Sequence, residues 1–269
     1  MKTVCTACAN IDAEVFVIDN ASTDGSKEYL QDKFHQVQFI WSNTNLGFSK
    51  ANNRVLPLVT GSHILFLNPD TLVPADCFEK SLNFFQQHPD AGALGVRMVD
   101  GVGKFLPESK RGVPNAWNTG CKMMGGPFLF PSAAVFAGYY APSIDEKGTG
   151  PVAVLSGAFM MVSKECLAVV KGFDEDFFMY GEDIDISCRI EAAGFTNYYV
   201  GSITITHLKG GSTQKSSSHY TQHFFDSMRI FVQKHYSRFH PLTYLLYIGI
   251  EMARLFSNTK RILVSLFKS

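Results

Sequence analysis

Three carboxylates lie almost side by side in the stretch FFMYGEDIDISCR, residues 177–189. Glu182, Asp183 and Asp185 would repel one another unless water, a helix N-terminus, a cation or a chemical role offsets the repulsion. A carboxylate at a helix start, beside a bound diphosphate and metal, can stay ionised and accept a proton from an attacking hydroxyl. The stretch therefore offers a candidate general base.

Two plainer interpretations of the same stretch remain open. Acidic residues are common in the first turn of a helix, where they complement the helix dipole. An Asp-x-Asp pattern also occurs in calcium loops. The central Gly and closing Glu of an EF-hand do not follow Asp183, which disfavours the calcium interpretation.

A second group of polar residues follows predicted strands. In LNPDT, Asp70 comes after Asn68 and Pro69, and His207 closes a later strand. A hard divalent cation takes carboxylate oxygen readily, and substrate phosphates often complete its coordination. Asp70 is thus a candidate metal ligand, and His207 a second ligand or a phosphate contact. The alternatives are a simple Asn-Pro turn and a histidine satisfied by its surroundings.

The elements that must position these residues alternate between strands and helices. Strands are predicted at 14–20, 37–42, 63–70, 91–99, 152–163 and 197–208, and helices near 26–34, 76–89, 182–193 and 219–235. Such alternation predicts an α/β fold, with a mostly parallel sheet flanked by helices. Ligands then bind beyond the carboxyl ends of the strands. Asp19, Asn20, Asn68 and Asp70 all fall there, so we expect one common site.

Residues 101–150 show little periodicity and are rich in Gly, Pro and aromatic residues. They contain the basic residues Lys104, Lys110 and Arg111. We expect an irregular excursion over the site that holds an acceptor.

Composition limits the functional classes. The chain has 269 residues, 46% hydrophobic, with a formal net charge of zero, which disfavours a nucleic-acid binder. Its six cysteines show no zinc-ligand set and suit a reducing cytosol. No secretory signal is recognised. We expect a cytoplasmic protein.

The C-terminal part, residues 239–269, is apolar but interrupted by Glu251 and Arg254. A spanning helix needs about 20 apolar residues, so this segment does not fit one. From residue 252 onward every charge is positive. This pattern predicts an amphipathic tail on an anionic membrane surface, following a domain over residues 1–238. The alternative is a helix packed on the domain or on a second subunit, as in a homodimer.

Three stretches together resemble the inverting family 2 glycosyltransferases with the GT-A fold: VIDNASTDGS (17–26), LNPDT (67–71) and GFDEDFFMYGEDIDISCRI (172–190). Supporting stretches are NTNLGFSKANN (43–53), LSGAFMMVSKECL (155–167) and HLKGGST (207–213). The chain is most similar to rhamnosyltransferase-type enzymes of bacterial surface-polysaccharide synthesis. The resemblance covers about residues 11–235.

The resemblance implies a site for a dTDP- or UDP-sugar donor. Asp19 would contact the nucleotide base, with Asn20 nearby, and three further residues would line the pocket: Asn45, Gly47 and Asn52. Asp70 would hold Mg²⁺ or Mn²⁺ against the diphosphate, completed by His207. Asn68 would lie beside the donor, where the family's Asp-x-Asp motif has its first acid. Ser156 and Gly157 would flank the donor sugar.

The resemblance also implies the reaction. Asp183 would deprotonate the acceptor hydroxyl, while Glu182 and Asp185 support it or hold the acceptor. One direct displacement at the anomeric carbon inverts the configuration. The acceptor would be a saccharide or a lipid-linked glycan at the inner face of the plasma membrane.

One departure from the family pattern lies at the N-terminus. A strand and most of a helix normally precede the VIDN strand, whereas MKTVCTACANID is similar only to the end of that helix. We expect a sheet lacking a central strand, with weakened donor binding or stability.

Two other classes remain as alternatives. A sugar nucleotidyltransferase also uses a metal-binding Asp, but NASTDGS lacks its Gly-rich basic loop. A degenerate, non-catalytic GT-A protein would keep the fold without the reaction.

Overall fold

The structure is a computed structural model that describes residues 1–112, 144–208, 218–237 and 239–266. Most of the excursion expected over 101–150, the polar stretch GGSTQKSS (210–217), Cys121 and Lys268 lie outside these residues. The described helices are α1 (Lys2–Ala7), α2 (Ser26–Gln31), α3 (Gly47–Val55), α4 (Cys77–Gln87), α5 (Lys164–Val170), α6 (Glu182–Ala192), α7 (Ser218–His235) and α8 (Pro241–Leu266). Short 3₁₀ turns cover Leu56–Leu58 and Pro107–Ser109.

Ten strands are described. They are β1 (Phe16–Asp19), β2 (Gln38–Trp41), β3 (His63–Leu67), β4 (Thr71–Leu72), β5 (Ala91–Val99), β6 (Lys110–Arg111), β7 (Thr149–Pro151), β8 (Val154–Leu155), β9 (Phe159–Ser163) and β10 (Thr196–His207). The predicted strands are therefore found close to their expected positions, as are the helices predicted near 76–89, 182–193 and 219–235.

The central sheet has six strands in the order β3-β9-β5-β10-β4, with β7 paired to β10. Strands β5 and β10 are parallel, whereas β9 runs antiparallel to both β3 and β5. The α/β class is confirmed, but the sheet is mixed rather than mostly parallel. The chain enters β9 from the turn at residues 156–158 after β8, and β9 pairs with β3 and β5 in the antiparallel direction.

Helices cover both faces of this sheet. On one face, Leu94 and Met98 of β5 pack with Phe78 and Phe85 of α4. The opposite face packs against α5 and α6, including Ile186. Strand β5 is buried along most of its length because it lies between these two layers.

Strands β1 and β2 pair in parallel but form a two-stranded sheet of their own. Among the described residues, no strand hydrogen-bonds this pair to the six-stranded sheet. The Glu14 carboxylate accepts a hydrogen bond from the Thr60 backbone N–H, which links the chain before β1 to the chain before β3. The expectation of weakened donor binding or stability stays a prediction.

Helices α7 and α8 pack on each other through a small apolar cluster of Phe225, Val232 and Ile250. In the described part of the chain, no helix combines the length and apolarity needed to cross a bilayer. The opposite side of α8 is exposed, with apolar residues at Tyr244, Leu245, Ile248, Met252, Leu255 and Phe256.

Candidate active site

The start of α6 is set by an unusual turn. Tyr180 and Gly181 both have positive φ angles, of 72° and 82°. Gly181 adopts this conformation readily because it has no Cβ, whereas the side chain of Tyr180 is strained there and needs support from its surroundings. Phe177 is fully buried just before the turn, and Ser227 of α7 donates a hydrogen bond to the Met179 carbonyl at 2.7 Å. The turn thereby fixes where the acidic residues of α6 begin.

Asp183 is held through one of its two carboxylate oxygens. Its Oδ2 accepts hydrogen bonds from Arg111 Nη2 at 2.5 Å and from the Gly157 backbone N–H at 3.2 Å. Among the described residues, Oδ1 has no hydrogen-bond partner. The carboxylate thus binds a guanidinium through one oxygen, and the other oxygen is left for a substrate.

Glu182 lies in a different environment, although it is the next residue. Its side chain is buried, and Oε2 has no hydrogen-bond partner in the described part of the chain. Burial, followed by the charge of Asp183, raises the pKa of Glu182 to about 8. Glu182 is therefore mainly neutral at pH 7, and the repulsion expected between the two neighbouring carboxylates is largely removed.

Asp185 faces away from Asp183, because a helix turns by about 200° over two residues. It accepts hydrogen bonds from Arg189 Nε at 2.7 Å and from His235 Nε2 at 2.8 Å. Burial acts to raise the pKa of Asp185, but the His235 hydrogen bond and the Arg189 charge outweigh it and lower that pKa. The structure places Asp185 in the packing between α6 and α7, which differs from the catalytic position expected for it.

Asp70 and His207 are brought together by strand pairing. Strand β10 runs antiparallel to β4, with His207 opposite Thr71, and His207 Nε2 lies 3.1 Å from Asp70 Oδ1. The other ring nitrogen, Nδ1, is buried without a partner among the described residues. The carboxylate oxygen suits Mn²⁺ or Mg²⁺, and the imidazole nitrogen beside it could serve as a second ligand or as a phosphate contact.

The described residues contain no group of three or more His, Cys, Asp or Glu side chains that could hold a metal ion. The pair therefore fits a metal only if a substrate supplies further ligands, as phosphate oxygens do.

The metal pair and the candidate base share one edge of the sheet. The Asn68 backbone N–H donates to the Ala158 carbonyl at 3.1 Å, so the Asn68–Pro69–Asp70 turn contacts the turn after β8. The neighbouring Gly157 N–H binds Asp183, as described above. A short chain of contacts thus joins the Asp70 turn to Asp183.

The residues predicted to line the nucleotide pocket form one loop cluster. The Asn20 side chain donates to the Gly47 carbonyl and accepts from the Leu46 N–H, at 2.9 and 3.2 Å. Asn45 accepts from the Gly47 N–H, and Asn52 donates to the Phe48 carbonyl. These amides shape the loop after β2.

Asp19 accepts from the Ser22 N–H through Oδ2, at the carboxyl end of β1. The loop after β2 also contacts the aromatic loop before α6, because the Phe48 N–H donates to the Phe178 carbonyl at 2.7 Å. Gly47 has φ 78°, and a Cβ there would collide with Phe178, so only glycine suits this approach.

Comparison with known proteins identifies the family. The family model described as Glycosyl transferase family 2 matches residues 2–168. This span is more than half of the chain.

The chain belongs to glycosyl transferase family 2. The resemblance seen in its motifs is confirmed, and the membership decides against the sugar nucleotidyltransferase alternative.

Curated relatives of this glycosyltransferase include a rhamnosyltransferase. The chain is 29% identical over 233 residues to N-acetylglucosaminyl-diphospho-decaprenol L-rhamnosyltransferase of Mycobacterium tuberculosis, covering 82% of this chain and 75% of the relative. A shorter match of 52 residues, 40% identical, is to rhamnosyltransferase WbbL of Escherichia coli K12; it covers 19% of this chain and 20% of WbbL.

Solved structures support the GT-A fold. Residues 1–349 of Staphylococcus aureus TarS match with a TM-score of 0.56 and 16% identity, over 94% of this chain and 66% of that one. The mannosyltransferase PcManGT of Pyrobaculum calidifontis matches with a TM-score of 0.53 and 15% identity, over 93% and 64%. GalNAc-T7 matches with a TM-score of 0.55 and 12% identity, over 94% of this chain and 51% of GalNAc-T7.

Two partners of the glycosyltransferase's Asp183 were not predicted as such. In the sequence, Arg111 stands out only as one of three basic residues, and Gly157 only as an expected neighbour of the donor sugar. No local signal connects either to Asp183, since they lie 72 and 26 residues away along the chain. His235, the partner of Asp185, was likewise missed.

The neutral Glu182 predicts a pH dependence of stability. In the unfolded chain this carboxyl has a pKa near 4.5, against about 8 when folded. Between these values the folded state binds more protons, so its contribution lowers the free energy of unfolding as pH rises. In the wild type we expect the free energy of unfolding to decrease by about 1–3 kcal/mol between pH 5 and 8, and Glu182→Gln should remove this decrease. Urea unfolding at both pH values measures this.

Glu79→Gln is the matched control, because Glu79 also lies in the first turn of a helix but is exposed. This variant should keep the wild-type pH dependence. An unchanged pH dependence in Glu182→Gln would show that Glu182 is ionised in the folded protein.

Proposed function

We propose that this glycosyltransferase moves a sugar from a dTDP- or UDP-sugar to a saccharide or lipid-linked acceptor, with inversion at the anomeric carbon. One observation carries the proposal: the Asp70–His207 pair and the half-satisfied carboxylate of Asp183 are joined through the turn at residues 156–158. A leaving diphosphate and an attacking hydroxyl need such groups at one edge of the sheet.

Asp183 acts as the general base in this proposal. The acceptor hydroxyl gives its proton to Oδ1 while its oxygen bonds to the anomeric carbon, and the bond from that carbon to the diphosphate oxygen breaks. Attack and departure occur on opposite faces, so one displacement inverts the centre. Glu182 is neutral and leaves the negative charge to Asp183, which keeps the base identity unambiguous.

Asp70 and His207 are the residues that would hold a divalent metal. When bound, the metal supplies charge stabilisation to the departing diphosphate. The structures of GalNAc-T7 with UDP, GalNAc and Mn²⁺, and of PcManGT with GDP-Man and Mn²⁺, support this assignment by analogy of fold. Because the described residues offer two ligands and no larger group, metal and nucleotide should bind together.

The acceptor proposal depends on the relatives. The Mycobacterium tuberculosis relative is named for a diphospho-decaprenol acceptor. A segment of 95 residues, 33% of this chain, also matches 10% of GgaB of Bacillus subtilis, a minor teichoic acid biosynthesis protein. These names support a polyprenol-linked glycan acceptor and a role in cell-surface polysaccharide synthesis.

Helix α8 offers a surface for the membrane that carries such an acceptor. Its exposed apolar residues recur every three or four positions, which places them on one stripe of the helix. Arg254, Lys260, Arg261 and Lys268 are the only charges after residue 251. An apolar stripe with cationic residues fits the surface of an anionic bilayer, and we propose peripheral attachment at the cytoplasmic face.

The base assignment predicts a separation of turnover from binding. Asp183→Asn keeps the size of the side chain but removes the proton acceptor, so turnover should fall about 100-fold or more. Nucleotide affinity should stay within a factor of about three, as measured by calorimetry beside the transfer assay. Wild-type turnover in this variant would remove Asp183 from the mechanism, and a folded wild-type chain without transfer would favour the degenerate protein.

The metal assignment predicts coupled binding. Titration of UDP or dTDP into the wild-type protein with Mn²⁺ should give heat that disappears without the metal and in Asp70→Ala. Asp76→Ala, which removes an exposed carboxylate paired with Lys80, should bind like wild type. Metal-independent binding of equal strength would contradict the role of Asp70.

The membrane proposal predicts lipid-dependent sedimentation. The full chain should pellet with vesicles containing phosphatidylglycerol but much less with phosphatidylcholine alone. Met252→Glu with Leu255→Glu should abolish pelleting, because both changes place charge in the apolar stripe. Val102→Glu, at an exposed apolar residue outside α8, should not. Loss of a dimer in the double variant, without any vesicle binding by wild type, would instead identify a subunit interface.

A further inference from the structure

Arg111 reaches the candidate base from an element far away in the sequence. It lies in β6, which pairs antiparallel with β8 so that Arg111 stands opposite Val154. Its side chain is only 11% exposed. A buried guanidinium is costly unless its charge is paired, and the carboxylate of Asp183 supplies that pairing within the site.

The contacts of Arg111 and Asp183 converge on Leu155. Arg111 Nη2 donates to the Leu155 carbonyl at 2.9 Å as well as to Asp183 Oδ2. The Leu155 N–H donates to Ser187 Oγ, which itself donates to the Asp183 carbonyl at 2.6 Å. Strand β8 is therefore hydrogen-bonded to Arg111 through the Leu155 carbonyl and to α6 through the Leu155 N–H.

We propose that Arg111 is a positioning residue for the transfer. Together with the Gly157 N–H it fixes Oδ2 of Asp183, so that Oδ1 is the oxygen presented to the acceptor hydroxyl. This inference rests on the proposed function of Asp183 as general base. Arg111 itself does not touch the reacting atoms.

The planar guanidinium suits this task better than an ammonium group. Its nitrogens point in fixed directions, so one side chain can hold a carboxylate and a carbonyl in a set geometry. Its charge also favours the ionised carboxylate, which is the form that accepts a proton. During transfer the proton moves from the acceptor hydroxyl to Oδ1, and Arg111 keeps its own protons throughout.

Arg111→Gln tests the proposal with transfer from dTDP-rhamnose and a panel of UDP-sugars to an N-acetylglucosaminyl-diphospho-polyprenol. We expect kcat to fall roughly 10- to 100-fold, as for a misplaced catalytic group. Nucleotide affinity should stay within about threefold, and the acidic limb of the pH–rate profile should move to higher pH. Arg111→Lys should show a smaller shift of the acidic limb than Arg111→Gln, but a similarly low kcat.

Arg97→Gln is the matched control. Arg97 is also a mostly buried arginine in an ion pair, with Glu146 at 3.1 Å, but it does not contact Asp183. This variant should keep the wild-type pH profile. If it shifts the profile as much as Arg111→Gln does, the effect is one of general destabilisation and the inference is wrong.

The same change in the Asp183→Asn background separates this inference from the proposed function. If Arg111 acts only through Asp183, its substitution should lower kcat little further in this background. If it has an independent role, kcat should fall by the same factor as in the wild type. Wild-type kcat and pH profile in Arg111→Gln would overturn the positioning role and leave Asp183 as base. Absence of transfer by the wild type from every donor would overturn both, and calorimetry in the same samples shows whether the proteins are folded.

Discussion

The repulsion among three carboxylates at the start of one helix is the constraint on which the site depends. The structure resolves it by giving each carboxylate a different environment. Glu182 is buried and its pKa is raised, Asp183 is paired with Arg111, and Asp185 is paired with Arg189 and His235. Only Asp183 is left both charged and open on one side, and this asymmetry supports a single proton acceptor.

The different environments of the three carboxylates depend on the elements that hold α6 in place. Strand β8 is tied to Asp183 through Ser187, and α7 holds the preceding turn through Ser227. The Phe178 ring also stacks on His223 of α7, with centroids 4.4 Å apart. Helix α7 thus connects the candidate base with α8, so the proposed membrane surface and the site share one support.

Much of the fold follows from local patterns. The apolar runs at 63–70 and 91–99 contain β3 and β5, and the helix predicted to start at Glu182 starts there. The direction of β9 did not follow, because an apolar run buried between helices looks the same in either direction. That direction is visible only in the antiparallel pairing of β9 with β3 and β5.

The sequence by itself determined the family motifs, the acidic helix start and the polar residues at strand ends, because each depends on neighbours along the chain. Tertiary structure alone decided which of those residues meet. Asp70 and His207 are 137 residues apart, and strand pairing joins them. Burial and long-range contacts also decide the state of the three carboxylates. They keep Glu182 neutral, pair Asp185 with α7 and pair Asp183 with Arg111, and no short stretch of sequence shows any of these.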